Sequence, residues 1–359
     1  MKDQHYYLAF SYCLGIGPMR LRQLTSHFGS VKDAYLANTS ELQHVLGFKI
    51  AEQLIRFRTH FKPDSIFETL LKKNIQIITF DQPEYPQTLS HISDPPICLY
   101  IKGDKKILSH PLILAVVGTR KPTSYGVSAT ERIVKELALY GFSIISGMAI
   151  GIDSTAHCMA ITSQSPTIAV LGCGVDIIYP PSNRSLYNSI IEKGGAVISE
   201  FPPGSTVHPG LFVARNRIIS GLARGVLVVE GSNKSGSLIT ARYAGEQGRD
   251  VFAIPSPITS PLSSAPNYLI KNGAKMVTSV DDIVEEYSTV IKRSKKEDMM
   301  QDLKGLEKEM VEYLLNEPFT IDDIVKAMQK PVKTILHTVS ILEIQGIIAT
   351  NSEGKLYVK

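Results

Sequence analysis

The stretch VARNRIISGLARGVLVVEGSNKSGSLITARYAGEQGR, residues 213–249, contains the pattern on which the fold assignment depends. It predicts a helix over 214–223, a short apolar strand over 226–229, a polar turn over 231–237 and a second helix. The strand is rich in β-branched residues and is bounded by turn signals, as is typical of a buried parallel strand. The stretch therefore predicts one repeating unit of an α/β fold.

The same stretch is unusually basic, with six Lys or Arg side chains against two Glu. Arg215 and Arg217 fall in the first turn of the predicted helix, where the helix macrodipole disfavours cations, so an anion is expected nearby. That anion could be a carboxylate from a neighbouring loop. It could also be a phosphate, because guanidinium groups match phosphate oxygens and neutral donors are close in sequence, namely Asn216, Ser232, Asn233 and Ser235.

The composition is that of an ordinary globular chain. The 359 residues are enough for two or three domains, and 43% are apolar and 20% charged. The net charge of +4 permits a nucleic-acid partner without requiring one. The four cysteines are scattered without a CxxC pair, which indicates neither a zinc site nor a disulfide framework. No apolar run is long enough to span a membrane and no signal-peptide layout is present, so we expect a reduced, cytoplasmic protein.

From Leu112 onward, strands alternate with helices. This alternation predicts an α/β fold, an extended Rossmann-like, doubly wound and mostly parallel sheet, within a core domain over 76–287. The proline-containing residues 75–105 include two short strand-like runs and are interpreted as an irregular connector into that sheet. Glycine-rich turns follow the strands, so they should cluster at the carboxyl edge of the sheet, where ligands bind. The predicted strands span 113–118, 142–145, 167–171, 196–199, 225–229 and 250–254.

The flanking segments predict two smaller domains. Residues 1–75 are helical, and the turns at Gly15-Ile16-Gly17 and Gly47 resemble helix-hairpin-helix units (a SAM-like arrangement), although a small helical bundle with glycine C-caps fits equally well. Residues 288–304 are polar and are interpreted as a linker. Residues 305–359 predict three helices and a hairpin, the layout of a winged helix. Since 306–359 contain six basic and eight acidic residues, we expect this module to contact protein rather than DNA.

Signals for catalysis are weak. No P-loop motif occurs, and the Gly172-Cys173-Gly174 turn lacks the third glycine of a dinucleotide site. Asp153 and His157 share one helix face but are interpreted as a helix N-terminal Asp and a hydrogen-bonded core His. Glu200 and Glu230 end strands and are the best carboxylates for a hydrolase, without a spacing that joins them. We therefore predict no catalytic residue, no metal and no cofactor.

The residues expected at the carboxyl edge are small, hydroxylic, amide-bearing or basic. This set fits sequence-tolerant contact with a phosphodiester backbone better than bond breaking. The predicted nucleic-acid-binding residues are Thr119, Arg120, Lys121, Ser146, Gly147, Ala149, Asn183, Arg184, Arg215, Asn216, Arg217, Asn233, Lys234 and Ser235.

Seven segments, in this order, closely resemble the DNA-processing protein A (DprA/Smf) family over about residues 83–287. They are VVGTRKPTSYG, ISGMAIGIDSTAH, LGCGVDIIYPPSN, ISEFPPG, RNRIISGLARGVLVVEG, SGSLITARYAGEQGRDVFAIP and NYLIKNGAK. The family's pocket arginines correspond to Arg120, Arg215 and Arg217, its SGxAxGID loop to 146–153, and its SGSL turn to 235–238. Two departures are a GTR first turn in place of GSR, and Val213-Ala214 where the family usually has Phe-Pro before RNR.

The resemblance implies a core that forms a homodimer, binds single-stranded DNA and helps to load the RecA recombinase during natural transformation, without catalytic turnover. The alternative is a nucleotide-processing enzyme of the lysine-decarboxylase-like phosphoribohydrolase type. Those enzymes carry a PGGxGTxxE motif after a strand. The comparable segment here, residues 231–238, has neither the paired glycines nor the Glu.

Overall fold

The computed structural model describes residues 3–291, 303–314, 317–344, 347–351 and 354–358. The chain divides into two compact units, one ending at Glu286 and the other beginning at Tyr287. Most of the predicted linker, 292–302, lies outside the described residues.

A nine-stranded sheet forms the centre of the first unit. Its strands are β1 Gln76–Thr79, β2 Cys98–Gly103, β3 Ile113–Val117, β4 Ser143–Ser146, β5 Thr167–Val170, β6 Ala196–Ser199, β7 Gly225–Val228, β8 Asp250–Ala253 and β9 Lys275–Met276. They lie in the order β1-β2-β6-β5-β4-β3-β7-β8-β9. Strands β3 to β9 are parallel to one another, so the predicted mostly parallel sheet is confirmed. The six predicted strands are β3 to β8, each within two residues of its expected bounds.

The strand order reverses direction at β3. Strands β4, β5 and β6 follow on one side of it, whereas β7, β8 and β9 follow on the other. The crevice of a doubly wound sheet opens where the order reverses, outside the carboxyl ends of the two central strands. The loops after β3 and β7 therefore flank the expected ligand position.

The two strand-like runs of residues 75–105 are confirmed as strands, but the interpretation of the segment as an irregular connector is wrong. Strands β1 and β2 extend the sheet, with β2 antiparallel to both β1 and β6. The prolines of this segment lie between the two strands, where no ladder hydrogen bond is needed. Their turn signal favoured a connector over two strands of the sheet.

Helices cover both faces of the sheet, because alternate strand residues point to opposite sides. They are α7 Gln87–Ser90, α8 Ser124–Leu139, α9 Ile152–Thr162, α10 Arg184–Glu192, α11 Pro209–Leu222, α12 Gly236–Glu246, α13 Ser264–Lys271 and α14 Asp281–Val284. Ala115, Val117 and Ile168 pack with α11 and α12 in one core cluster. Ala169 and Val197 pack with α10 in another.

Six helices precede the sheet and share a core with it. They are α1 Asp3–Tyr12, α2 Pro18–Phe28, α3 Val31–Leu36, α4 Thr39–Leu46, α5 Phe48–His60 and α6 Pro63–Lys72. Tyr100 of β2 is fully buried in their cluster, and its hydroxyl lies 2.6 Å from Ser11 Oγ of α1. The boundary expected at residue 75 is therefore not a separation between compact units.

The second unit contains α15 Leu306–Leu314, α16 Ile321–Met328 and α17 Val332–Ile344, with an antiparallel hairpin of β10 Ile348–Thr350 and β11 Leu356–Val358. Three helices and a hairpin occur in the order expected for a winged helix. A capping box at Thr320 and Asp323 begins α16. None of the helices within the described residues is long and apolar enough to cross a membrane.

The shared core makes a stability prediction. Replacing the fully buried Leu54 of α5 with Ala should lower the free energy of unfolding by about 2–5 kcal/mol, since a cavity forms in the cluster. The matched change Leu14→Ala, at a side chain that is 80% exposed, should cost far less. Denaturation followed by circular dichroism measures both.

Because the cluster extends into β2 through Cys98 and Tyr100, Leu54→Ala should also speed amide hydrogen exchange of these two residues. Unchanged exchange in β2 beside faster exchange in α1–α6 would contradict a common core.

Candidate nucleic-acid interface

Three loops meet at the carboxyl ends of β3 and β7. The Thr119 amide donates to the Glu230 carbonyl across 2.8 Å, and the Ile152 amide donates to the Thr119 carbonyl across 3.2 Å. These backbone bonds fix the turn after β3 to the turn after β7 and to the start of α9. The loops together with α11 and the start of α12 enclose a cavity of about 530 Å³.

Arg215 forms the floor of this cavity. It is 4% exposed, and its Nη1 donates to the carbonyl oxygens of Gly147, at 2.7 Å, and Val170. A Cβ on residue 147 would lie 2.5 Å from the guanidinium, which explains the glycine in the loop after β4. The close contact between Arg215 and this loop therefore requires glycine at position 147.

The charge of Arg215 is only partly compensated. Burial lowers its pKa to about 10, opposed by the nearby Asp153 and assisted by Arg120, so the group stays protonated at neutral pH. Among the described residues, no carboxylate oxygen lies within 4.0 Å of it. Asp153 accepts hydrogen bonds from the amides of Gly147 and Ala149, and burial raises the pKa of its carboxyl. A buried cation with carbonyl partners and no paired carboxylate attracts an anion.

Arg217 has the opposite environment. It makes a two-pronged ion pair with Glu200, both N–O distances being 2.6 Å, and its Nε lies 2.8 Å from Asp94 Oδ2. Its side chain is 5% exposed and does not line the cavity. The prediction that Arg217 contacts nucleic acid is therefore not supported by its position, because carboxylates already occupy its guanidinium.

The helix bearing these arginines begins earlier than predicted. It starts at Pro209 rather than Ala214, so Arg215 and Arg217 lie in its second and third turns. The macrodipole argument for an adjacent anion is consequently wrong. Proline at the first helical position was the signal that marked the true start.

An aromatic and cationic group lines the mouth of the cavity. The Arg120 guanidinium lies over the Phe212 ring, 6.0 Å from its centroid, and the Phe212 and Tyr179 centroids are 5.4 Å apart. Gly172 leaves room for Phe212, since a Cβ there would lie 2.8 Å from that ring. Neither aromatic residue was predicted. Phe212 precedes Arg215 by three residues and so shares its helix face, which follows only once the helix is extended to Pro209.

The start of α12 completes the cavity wall. Ser235 caps this helix by accepting from the Ser237 amide, and Ser232, Gly236 and Ser237 also line the cavity. Asn216 Nδ2 donates to the Gly236 carbonyl across 3.5 Å. A helix N-terminus with hydroxyls around it favours an anion in this space.

The structure brings about half of the predicted residues together. Those lining the cavity, or a second cavity of about 80 Å³ that shares residues with it, are Thr119, Arg120, Gly147, Ala149, Arg215, Asn216 and Ser235. Ser146 and Asn183 are buried and hold the loops, their side chains donating to the carbonyls of Val116 and Met148. Arg217 is buried outside the lining, and the remaining four lie outside the lining and at the surface, namely Lys121, Arg184, Asn233 and Lys234.

The carboxylates considered for hydrolysis have structural partners. Glu230 accepts from the amide and hydroxyl of Thr123, at 2.9 and 2.6 Å, while Glu200 holds Arg217. Within the described part of the chain, no group of three or more His, Cys, Asp or Glu side chains could hold a metal ion.

His157 lies beneath this site, fully buried. Thr167 Oγ1 donates to the Ile144 carbonyl, so it accepts from His157 Nδ1, at 2.7 Å. Nε2 therefore carries the lone pair, and it has no hydrogen-bond partner among the described residues. The expected hydrogen bonding of His157 is therefore found at Nδ1 but not at Nε2. Burial and the charge of Arg215 lower the pKa of His157 to about 3.

The ion pair of Arg217 predicts a large stability effect. Arg217→Met should lower the free energy of unfolding by about 3–5 kcal/mol, because Glu200 and Asp94 lose their cation. The matched control is Arg56→Met, which breaks a 2.8 Å ion pair with Glu52. The side chain of Arg56 is 77% exposed and that of Glu52 is 45% exposed. Arg56→Met should cost about 1 kcal/mol or less. Equal losses in chemical denaturation would contradict a structural role for Arg217.

His157 predicts an acid-side loss of stability. Its folded pKa lies below the unfolded value of 6.5, so the unfolded chain binds more protons between about pH 3 and 6.5, and stability falls as the pH drops through this window. The contribution is about 2 kcal/mol between pH 7 and pH 5. His157→Gln should lose this part of the dependence. If the free energy of unfolding depends on pH in the same way for His157→Gln and the wild type, His157 does not make this contribution.

Comparison with known proteins places the chain in a family. Residues 76–288 match the family model of DNA recombination-mediator protein A. The Smf protein of Synechocystis sp. is 41% identical over 294 residues, covering 80% of this chain and 73% of that protein. The DNA processing protein DprA of Streptococcus pneumoniae is 44% identical over 203 residues, covering 56% of this chain and 71% of that protein.

Solved structures agree with these matches. The X-ray structure of DprA from Streptococcus pneumoniae superposes with a TM-score of 0.70 at 34% identity, covering 80% of this chain and 99% of that one. A Helicobacter pylori structure that reports the single-stranded DNA binding mode of DNA processing protein A has a TM-score of 0.54 at 32% identity, covering 60% and 96%. The family model spans more than half of the chain, and the chain therefore belongs to the DNA recombination-mediator protein A family.

Proposed function

We propose that this protein binds single-stranded DNA at the cavity between the ends of β3 and β7 and acts there as a recombination mediator. The observation that carries the proposal is Arg215, a buried guanidinium without a paired carboxylate among the described residues, next to an arginine that has two. A phosphate at the cavity would supply the missing negative charge. The Helicobacter pylori relative, whose structure is described by its single-stranded DNA binding mode, supports the choice of polymer.

The mouth of the cavity suits a single strand. Arg120 is exposed and can neutralise a backbone phosphate, while the exposed ring of Tyr179, beside Phe212, can stack on an unpaired base. Bases in a duplex are stacked on each other and cannot use such a ring. Phosphates and ring faces carry little base identity, so binding should tolerate any sequence.

Binding without turnover is part of the proposal. The carboxylates described at this edge are held by other protein groups, Glu230 by Thr123, Glu200 by Arg217 and Asp153 by the amides of Gly147 and Ala149. The phosphoribohydrolase alternative is not favoured, since the turn after β7 supplies serines to the cavity and no Glu.

The remaining roles follow from the family resemblance. We infer that the protein works in the cytoplasm as a homodimer, and that it helps to load the RecA recombinase onto the bound strand during natural transformation. Family membership supports these roles.

Binding of labelled single- and double-stranded oligonucleotides across a salt series tests the proposal. The wild-type protein should prefer the single strand, and Arg120→Ala should weaken that binding about tenfold. It should also reduce the slope of log affinity against log salt by about 0.7 for each phosphate that the arginine no longer neutralises. Arg120 is exposed, so the change should leave the fold intact.

Arg132→Ala is the matched control, because it removes the same charge from an exposed position on α8 where the arginine pairs with Glu136. Its affinity and slope should equal those of the wild type. If Arg120→Ala and Arg132→Ala behave alike, the cavity is not the binding site.

A further inference from the structure

The outer face of α17 in the C-terminal unit carries an unusual apolar row. Val332, Leu336 and Ile344 are 51%, 44% and 86% exposed. Together with the exposed Ser340 they lie four residues apart, so they form one continuous ridge along the helix. Ridges of this spacing are the ones by which helices most often pack against each other.

The orientation of this ridge is fixed by the opposite face of the helix. Ile335, Val339 and Leu342 are buried in the core of the unit, against α15, α16 and the hairpin. The helix cannot rotate to hide the ridge without exposing these three side chains. Within the described residues, the ridge is consequently left at the surface.

The charges of the helix argue against a nucleic-acid partner. Its exposed face offers one lysine, Lys333, and one histidine, His337, with Glu343 near the end. Residues 306–359 contain eight acidic and six basic residues. Contact with a phosphate backbone requires the reverse balance.

The outer face is complementary to itself. When two copies of α17 lie antiparallel with their Thr338 residues at the same level, Val332 faces Ile344 and Leu336 faces Ser340. The same alignment places Lys333 opposite Glu343, at both ends of the pair. Parallel alignment would instead oppose lysine to lysine and glutamate to glutamate, which is repulsive.

We propose that α17 is a self-association surface, pairing antiparallel with α17 of a second copy of this chain across a twofold axis. The contact is isologous, because each copy contributes the same row and the same two charges. The α17 contact uses residues of the second unit only, so it is a different interface from any contact between the β-sheet domains of two copies.

The interface is small. A helix of 13 residues is about 20 Å long, which places the pair in the class of weak interfaces that bury less than about 1,200 Å². Association should therefore rise with protein concentration over the micromolar to millimolar range.

Charge reversal tests the pairing in the full-length protein. Lys333→Glu and Glu343→Lys should each weaken self-association at least about tenfold in sedimentation velocity, because each puts like charges together at both ends of the pair. The double variant K333E/E343K should regain wild-type association. An equimolar mixture of the two single variants should also associate, since each supplies the charge that the other needs.

Lys308→Glu is the control, with the same charge change at an exposed position on α15, and it should associate like the wild type. Leu336→Asp should weaken association independently of the charge pairs. Circular dichroism establishes that the variants are folded, as expected for exposed positions.

The proposal is overturned if the single variants associate like the wild type, or if neither the double variant nor the mixture regains association. If Lys333→Glu loses duplex DNA binding while its self-association is unchanged, the helix contacts DNA, and the proposal is again overturned.

Discussion

The candidate interface depends on how two arginines of α11 are neutralised. Residues two positions apart on a helix point about 200° apart, so Arg215 and Arg217 face different surroundings. Arg217 meets the carboxylates of Glu200 and Asp94, whereas Arg215 meets backbone carbonyl oxygens of the sheet and of the loop after β4. Carbonyl dipoles orient a guanidinium without cancelling its charge. One arginine therefore fixes the helix to the sheet, and the other leaves a positive potential at the carboxyl edge.

The loops around that potential are held largely by backbone hydrogen bonds. The turn after β3 is bonded to the turn after β7 and to the start of α9. Asp153 then holds the amides of Gly147 and Ala149, and Asn183 holds the carbonyl of Met148. An edge fixed in this way loses little conformational entropy when it binds an anion. Buried predicted residues such as Asn183 thus serve the site by shaping it.

Much of the fold could be predicted from the sequence because its signals are local. Strands β3 to β8 are short apolar runs bounded by turn residues, and each was placed within two residues. Strands β1 and β2 were recognised only as strand-like runs within a connector, since the prolines between them gave a stronger signal than the strands themselves. The start of α11 was misplaced by five residues, and Phe212 was therefore absent from the predicted site.

The division of roles between the arginines could not be predicted. Arg217 finds its partners 17 and 123 residues away in the chain, and only the folded sheet brings them near. Local sequence shows two equivalent basic residues in an RNR segment. Which of them keeps its charge available is a property of tertiary structure, and so is the pairing of Arg120 with the Phe212 ring.

Charge is also divided along the chain. The whole sequence carries +4 and residues 306–359 carry −2, so residues 1–305 carry +6. A polyanion is therefore attracted to residues 1–305, which include the whole first unit, and repelled by residues 306–359. Under that repulsion, an exposed helix in the second unit is kept from the phosphate backbone, and its apolar row is left for a protein surface. This charge asymmetry supports the proposals that DNA binds the first unit and that the helical face of α17 contacts protein.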